Sequence, residues 1–77
     1  MKILLLEDEM MLRTSIKEYL SELGYFVTCF ADGSKANEDL LINRYDLLLL
    51  DINVPNIDGL ELLKKRHQEQ DHTPTIF

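Results

Sequence analysis

Leu47-Leu48-Leu49-Leu50-Asp51-Ile52-Asn53-Val54-Pro55-Asn56-Ile57-Asp58-Gly59 is the stretch on which the reading of the chain turns. Its leucine run has strand length and is apolar at every position, the mark of a strand covered on both faces of a parallel sheet. An acid ends the run and a proline-containing loop follows. Asp58 then stands as a helix N-cap, with Glu61 in the capping-box position three residues later.

Working outward, the same arrangement recurs. Ile3-Leu4-Leu5-Leu6 is a second wholly apolar run and also ends in acid, Glu7-Asp8-Glu9. Phe26–Phe30 is a further strand-length segment. Between the first two strands Leu12, Ile16, Tyr19, Leu20 and Leu23 recur at helical spacing, and Gly24 is placed to end that helix in the left-handed conformation. Asp32-Gly33-Ser34 opens a second helix with Ala36, Leu40 and Leu41 directed inward, and the third helix carries Leu60 and Leu63 on one stripe. His72-Thr73-Pro74 is a loop, and Thr75-Ile76-Phe77 reads as the opening of a fourth strand. Strand and helix thus alternate three times before the stub, which predicts a parallel α/β sheet. Sheets of this kind bind ligands beyond the carboxyl ends of their strands.

The bulk composition narrows the function. The chain has 77 residues, enough for one small domain, and is 45% hydrophobic and 29% charged, as a folded soluble segment should be. A net charge of −6 argues against direct nucleic-acid contact, which requires a basic face. The single Cys29 excludes an internal disulfide and suits a reducing compartment. The apolar run after Met1-Lys2 is too short for a signal peptide or a membrane span, so a cytoplasmic location is expected.

If the two acid-ended strands are neighbours, Glu7, Asp8 and Asp51 converge at one edge of the sheet. Crowded carboxylates raise one another's pKa, and a hard divalent cation relieves the repulsion. Mg²⁺ prefers oxygen donors in octahedral geometry and takes one or two carboxylates while keeping several waters. No cysteine or histidine pair stands beside these acids to favour a softer metal. A carboxylate so placed can attack phosphorus to give an acyl phosphate, with Asp51 as nucleophile, Asp8 on Mg²⁺ directly and Glu7 on it directly or through water. The backbone carbonyl of Asn53 is a further candidate ligand. The plainer reading is that these acids are loop residues, with Asp8 or Glu9 favouring the positive end of the first helix.

The acidic end of the first strand, the Leu47–Gly59 segment, the helix start Gly59-Leu60-Glu61-Leu62-Leu63-Lys64-Lys65 and Asp32-Gly33 together resemble the receiver domain of two-component response regulators. The resemblance covers essentially the whole of residues 1–77, read as a partial receiver domain. It implies a flavodoxin-like fold and a signalling module rather than a turnover enzyme. It further implies that Asp51 accepts a phosphoryl group from a phosphohistidine on a sensor histidine kinase, with Glu7, Asp8, Asp51 and the Asn53 carbonyl holding Mg²⁺. The Asn53 side chain sits where the family tunes loss of the phosphoryl group, and Val54 replaces the more usual Met or Leu. The family's Ser or Thr after the fourth strand and Lys after the fifth lie outside these residues, so impaired output and weak stable labelling are expected. The expected strand order is two, one, three, with Leu47–Leu50 at an exposed edge open to a second copy of the chain.

Two other function classes compete. Asp51-Ile52-Asn53-Val54 has the outline of a haloacid-dehalogenase-like phosphatase, but Asn53 cannot supply that family's second acid. A non-phosphorylated interaction module on a receiver framework is the other. The remaining conspicuous residues are given structural roles. Cys29 is expected to be a buried small hydrophobe, and Tyr19, Tyr25, Tyr45, Phe26 and Phe30 to be core or core-margin residues. Lys64-Lys65-Arg66 is expected to form the exposed face of the third helix, and His67 and His72 to stand alone in solvent.

Overall fold

A computed structural model describes residues 1–77. In chain order it contains β1 (Lys2–Leu6), α1 (Met10–Glu22), β2 (Phe26–Phe30), α2 (Gly33–Leu40), β3 (Leu47–Leu50), α3 (Gly59–Gln68) and β4 (Thr75–Ile76). The strands form one parallel sheet in the order β2-β1-β3-β4. The α/β fold and its alternation are therefore those the apolar runs predict.

Side-chain alternation divides the sheet into two unequal faces. Leu4 and Leu6 of β1 and Leu48 and Leu50 of β3 join Ala36 and Leu40 of α2, Leu62 of α3, Tyr45 and Val54 in the core. Leu4, Leu6, Ala36 and Leu62 have no solvent exposure at all. The opposite face carries Ile3, Leu5, Leu47 and Leu49, and α1 covers it without burying any of its own residues. Leu12, Tyr19 and Leu23, placed inward by their spacing, are 48%, 64% and 55% exposed. The period identified the helix correctly, but period does not say how much partner surface meets the apolar stripe.

Several smaller expectations change for local reasons. Leu41 is the C-cap of α2 and points to solvent, and Phe26 at the start of β2 is likewise exposed. On α3 the inward stripe is Gly59, Leu62 and Arg66, with Leu63 packed at its margin, while Leu60 is exposed. Lys64-Lys65-Arg66 is thus not one exposed face, because Arg66 is only 4% exposed. His67 and His72 do not stand apart either, since their ring centroids are 5.1 Å from each other. Cys29 is half-buried rather than fully enclosed.

The third strand is not the sheet edge. β4 pairs with it, Leu48 opposite Thr75 and Leu49 opposite Ile76, and the Leu48 N–H donates to the Pro74 carbonyl at 2.9 Å. Two strand residues suffice to take up the outer hydrogen-bonding groups of β3, and the edge moves out to β4.

Helix ends match their sequence signals closely. Asp32 accepts from the Ser34 and Lys35 N–H groups at 2.7 and 3.3 Å, and Asp58 accepts from the Glu61 N–H at 2.8 Å. Gly24, just past α1, has φ +93°, a conformation that side chains with a Cβ rarely adopt.

Candidate functional site

The site begins as one more rung of the sheet ladder. Leu6 lies opposite Phe30 on one side and Leu50 on the other. Beyond them the Glu7 N–H donates to the Phe30 carbonyl and the Asp51 N–H to the Leu6 carbonyl, both at 2.9 Å. These bonds carry Glu7 and Asp51 off the carboxyl ends of adjacent strands side by side, and Asp8 follows. One carboxylate oxygen from each of Glu7, Asp8 and Asp51 lies within 4.8 Å of the other two.

The three acids differ in environment. Glu7 is buried, Asp51 half-buried and Asp8 exposed. Burial is the main cause that pushes the Glu7 carboxyl above its usual range. A hydrogen bond from the Glu9 N–H works against it, and the nearby Asp51 and Asp8 add to the rise. Glu9 itself turns away from the cluster. It caps α1, accepting from the Met11 and Leu12 N–H groups at 3.2 and 2.6 Å. For Glu9, though not for Asp8, the plainer reading of the acids as helix caps is the correct one.

The loop after Asp51 is held at several points. The Asn53 N–H donates to Asp51 Oδ1 at 3.2 Å, which orients the carboxylate from below, and the Asn53 residue is otherwise exposed. Val54 is buried against the core. The Gly33 N–H donates to the Pro55 carbonyl at 3.2 Å, and the Asn56 amide donates to Asp32. Asn56 has φ 69°, which an Asn tolerates better than most residues. Glycine is required at two close approaches: a Cβ on Gly33 would overlap the Ile57 carbonyl, and one on Gly59 the Asp51 carbonyl.

Arg13 is a site neighbour that spacing did not reveal. Its guanidinium donates to the Glu7 and Asp8 carbonyls at 3.0 and 3.3 Å, fixing the backbone from which both acids project. It stands one helical turn past Glu9, where an arginine ordinarily reads as a solvated surface residue. Beside the acids, an open groove of about 260 Å³ runs along Leu5, Ile16, Leu49, Ile76 and Phe77 up to Glu7 and Asp51. The acids thus stand with an apolar wall on one side and solvent on the other.

The chain matches the response regulator receiver domain family over residues 3–77. It is 47% identical over 77 residues to the transcriptional regulatory protein CrdR of Helicobacter pylori, covering 99% of this chain and 36% of that protein. It is 44% identical over 76 residues to the response regulator ArlR of Staphylococcus saprophyticus, covering 99% of this chain and 34% of that one. Among solved structures, the receiver domain of the Francisella response regulator 1452 superposes with a TM-score of 0.93 at 31% identity, over 96% of this chain and 61% of that chain. The response regulator TrrA of Thermotoga maritima, solved in complex with Mg²⁺-BeF, gives a TM-score of 0.91 at 33% identity, over 99% and 66%. The chain belongs to the response regulator receiver domain family, and it spans about a third of the length of the curated relatives it matches. No helix is long and apolar enough to cross a membrane.

Proposed function

We propose that Asp51 is the phosphoacceptor of a two-component system in the cytoplasm, receiving its phosphoryl group from a phosphohistidine on a sensor histidine kinase. One observation carries the reading: three carboxylates leave adjacent parallel strands with their oxygens within 4.8 Å of one another. An Asp51 carboxylate oxygen forms the new bond to phosphorus as the phosphorus–nitrogen bond of the donor breaks, and the imidazole leaves with the electron pair. The Asn53 N–H steadies the carboxylate for that attack.

The donor set fits magnesium. It consists of hard carboxylate oxygens, with no thiolate or imidazole in the cluster. Asp8 and Asp51 would hold the ion directly, Glu7 directly or through water, and the Asn53 carbonyl would complete the protein's share. When bound, the ion neutralises charge on the transferring oxygens. A cation there would favour the charged form of Glu7, against the burial that pushes its carboxyl upward.

Regulation of transcription is the output we assign to the whole polypeptide, since several curated relatives are named transcriptional regulatory proteins.

Fluorine NMR of the chain with beryllium fluoride and Mg²⁺ tests the assignment without dependence on acyl-phosphate lifetime. A bound beryllofluoride resonance that vanishes in Asp51→Asn supports it. The same resonance persisting in Asp51→Asn moves the acceptor elsewhere.

A further inference from the structure

The inward stripe of α3 contains a residue that does not belong on an apolar stripe. Gly59 and Leu62 are followed, one turn later, by Arg66, and all three are buried. An arginine guanidinium stays charged in proteins and offers only donors, so a buried one needs acceptors. Arg66 Nε is fully enclosed and has no hydrogen-bond partner within the chain. Orphans of this kind are rare in folded proteins, and this one marks Arg66 as a guanidinium that the chain itself does not fully pair.

Arg66 also lines a cavity of about 220 Å³ between the C-terminal ends of α2 and α3. Arg44 and Asn43 line it from one side, Glu69 and Asp71 from the other. The cavity precedes β3 and β4 in the chain and so lies at the amino end of the sheet, away from Asp51. Asp71 does not use up the positive charge. One of its oxygens, Oδ1, is taken by the Thr73 N–H at 3.1 Å and the Thr73 hydroxyl at 2.6 Å. Burial works to raise the Asp71 carboxyl, but the Thr73 bonds and the Arg66 and Arg44 charges outweigh it and hold it below the usual range. The buried Arg66 and the half-buried Asp71 thus line the inside, with the exposed Arg44 and Glu69 at the rim.

We propose that this cavity binds a small oxyanion, a phosphate or carboxylate group seated on Arg66, with Arg44 as the second contact. The planar donor fork of arginine matches either group, and the buried position of Arg66 gives its bonds more weight than surface contacts have. The site is separate from the acid cluster in place and opposite to it in ligand charge.

The test is a titration of the ¹⁵N-labelled chain in Mg²⁺-free buffer, with inorganic phosphate in one arm and acetate in the other, chloride holding ionic strength constant. Saturable shifts of the Arg66 Nε–H and of the Asn43 and Glu69 amides, with Asp8 and Asp51 amides unmoved, are expected. Saturation by phosphate alone assigns a free phosphate-type ligand, and saturation by acetate a carboxylate; either supports the site. Arg66→Leu continues the apolar stripe and should fold, yet weaken binding about tenfold or more, the loss expected for a charge-assisted contact. Arg44→Gln should weaken it less. Shifts that stay linear in both arms, or a saturating response of the amides that survives in Arg66→Leu, overturn the proposal.

Discussion

The Asp51 carbonyl occupies the space that a Cβ on Gly59 would need. Helix α3 therefore starts in contact with the very backbone that presents the Asp51 carboxylate, and the loop between them is drawn tight by the Gly59 N–H bond to the Ile52 carbonyl at 3.1 Å. Gly59→Ala should cost about 1–3 kcal/mol by overpacking and should reduce phosphoryl labelling, because the strain is relieved through Asp51. Asp58→Ala next to it should cost about 1 kcal/mol as a lost cap while leaving labelling nearly intact. Urea unfolding and labelling, measured on both variants, separate the two effects.

The unequal faces of the sheet predict an unequal response to truncation. Leu62→Ala should lose about 2–5 kcal/mol, since Leu62 has no exposure and its removal leaves a cavity. Leu23→Ser at the C-cap of α1 should fall within about 0.5 kcal/mol of the parent, because that side chain is 55% exposed. Equal losses at the two sites in urea unfolding would show that α1 is packed as tightly as α3.

Tyr45 ties α2 to the start of β3. Its hydroxyl donates to Asp39 at 2.5 Å, and the Lys2 ammonium lies 4.8 Å from its ring centre. Burial, then the Asp39 bond and charge, push its pKa from 10.0 up to about 12, against a smaller opposing effect of Thr28. The folded state thus holds this proton more tightly than the unfolded state does. Its contribution is complete below about pH 10 and is lost as pH rises to about 12. Tyr45→Phe should cost about 1 kcal/mol at neutral pH and should flatten that alkaline decline. An unchanged alkaline slope in the variant would remove Tyr45 as its source.

Crowding of the acids has a measurable sign. Without divalent cations Asp51→Asn should stabilise the chain by about 0.5–1 kcal/mol, since one of three neighbouring negative charges is removed. Adding Mg²⁺ should raise the thermal midpoint of the parent, by an amount equivalent to about 2.7 kcal/mol at a hundredfold excess over its dissociation constant. Asp8→Asn and Asp51→Asn should lose most of that rise. A Mg²⁺ response that is the same in all three proteins places the ion elsewhere.

The fold was legible because its strands announce themselves. Ile3–Leu6 and Leu47–Leu50 are apolar throughout, Asp32 and Asp58 cap where they should, and Gly24 takes the positive φ expected of it. Acids ending two neighbouring strands brought Glu7, Asp8 and Asp51 together without any contact being known. What the pattern could not convey was depth. A helical period marks Leu12, Tyr19 and Leu23 as one stripe, but exposure depends on how much surface the sheet offers to α1. The same blindness hid Arg66, whose place at one turn past Leu62 makes it an inward residue despite its charged neighbours. Contacts made by backbone groups were equally silent, and the Arg13 bonds to the Glu7 and Asp8 carbonyls depend on geometry across a strand-to-helix turn.

A time course of mass spectra after brief exposure to acetyl phosphate, with and without Mg²⁺, tests Asp51 as the phosphoacceptor. A weak, short-lived, acid-labile phosphoryl group should form on Asp51 alone, seen only with Mg²⁺, absent in Asp51→Asn and strongly reduced in Asp8→Asn. Phosphoryl incorporation at another residue, or at Asp51 with equal yield in the absence of divalent cations, would contradict it.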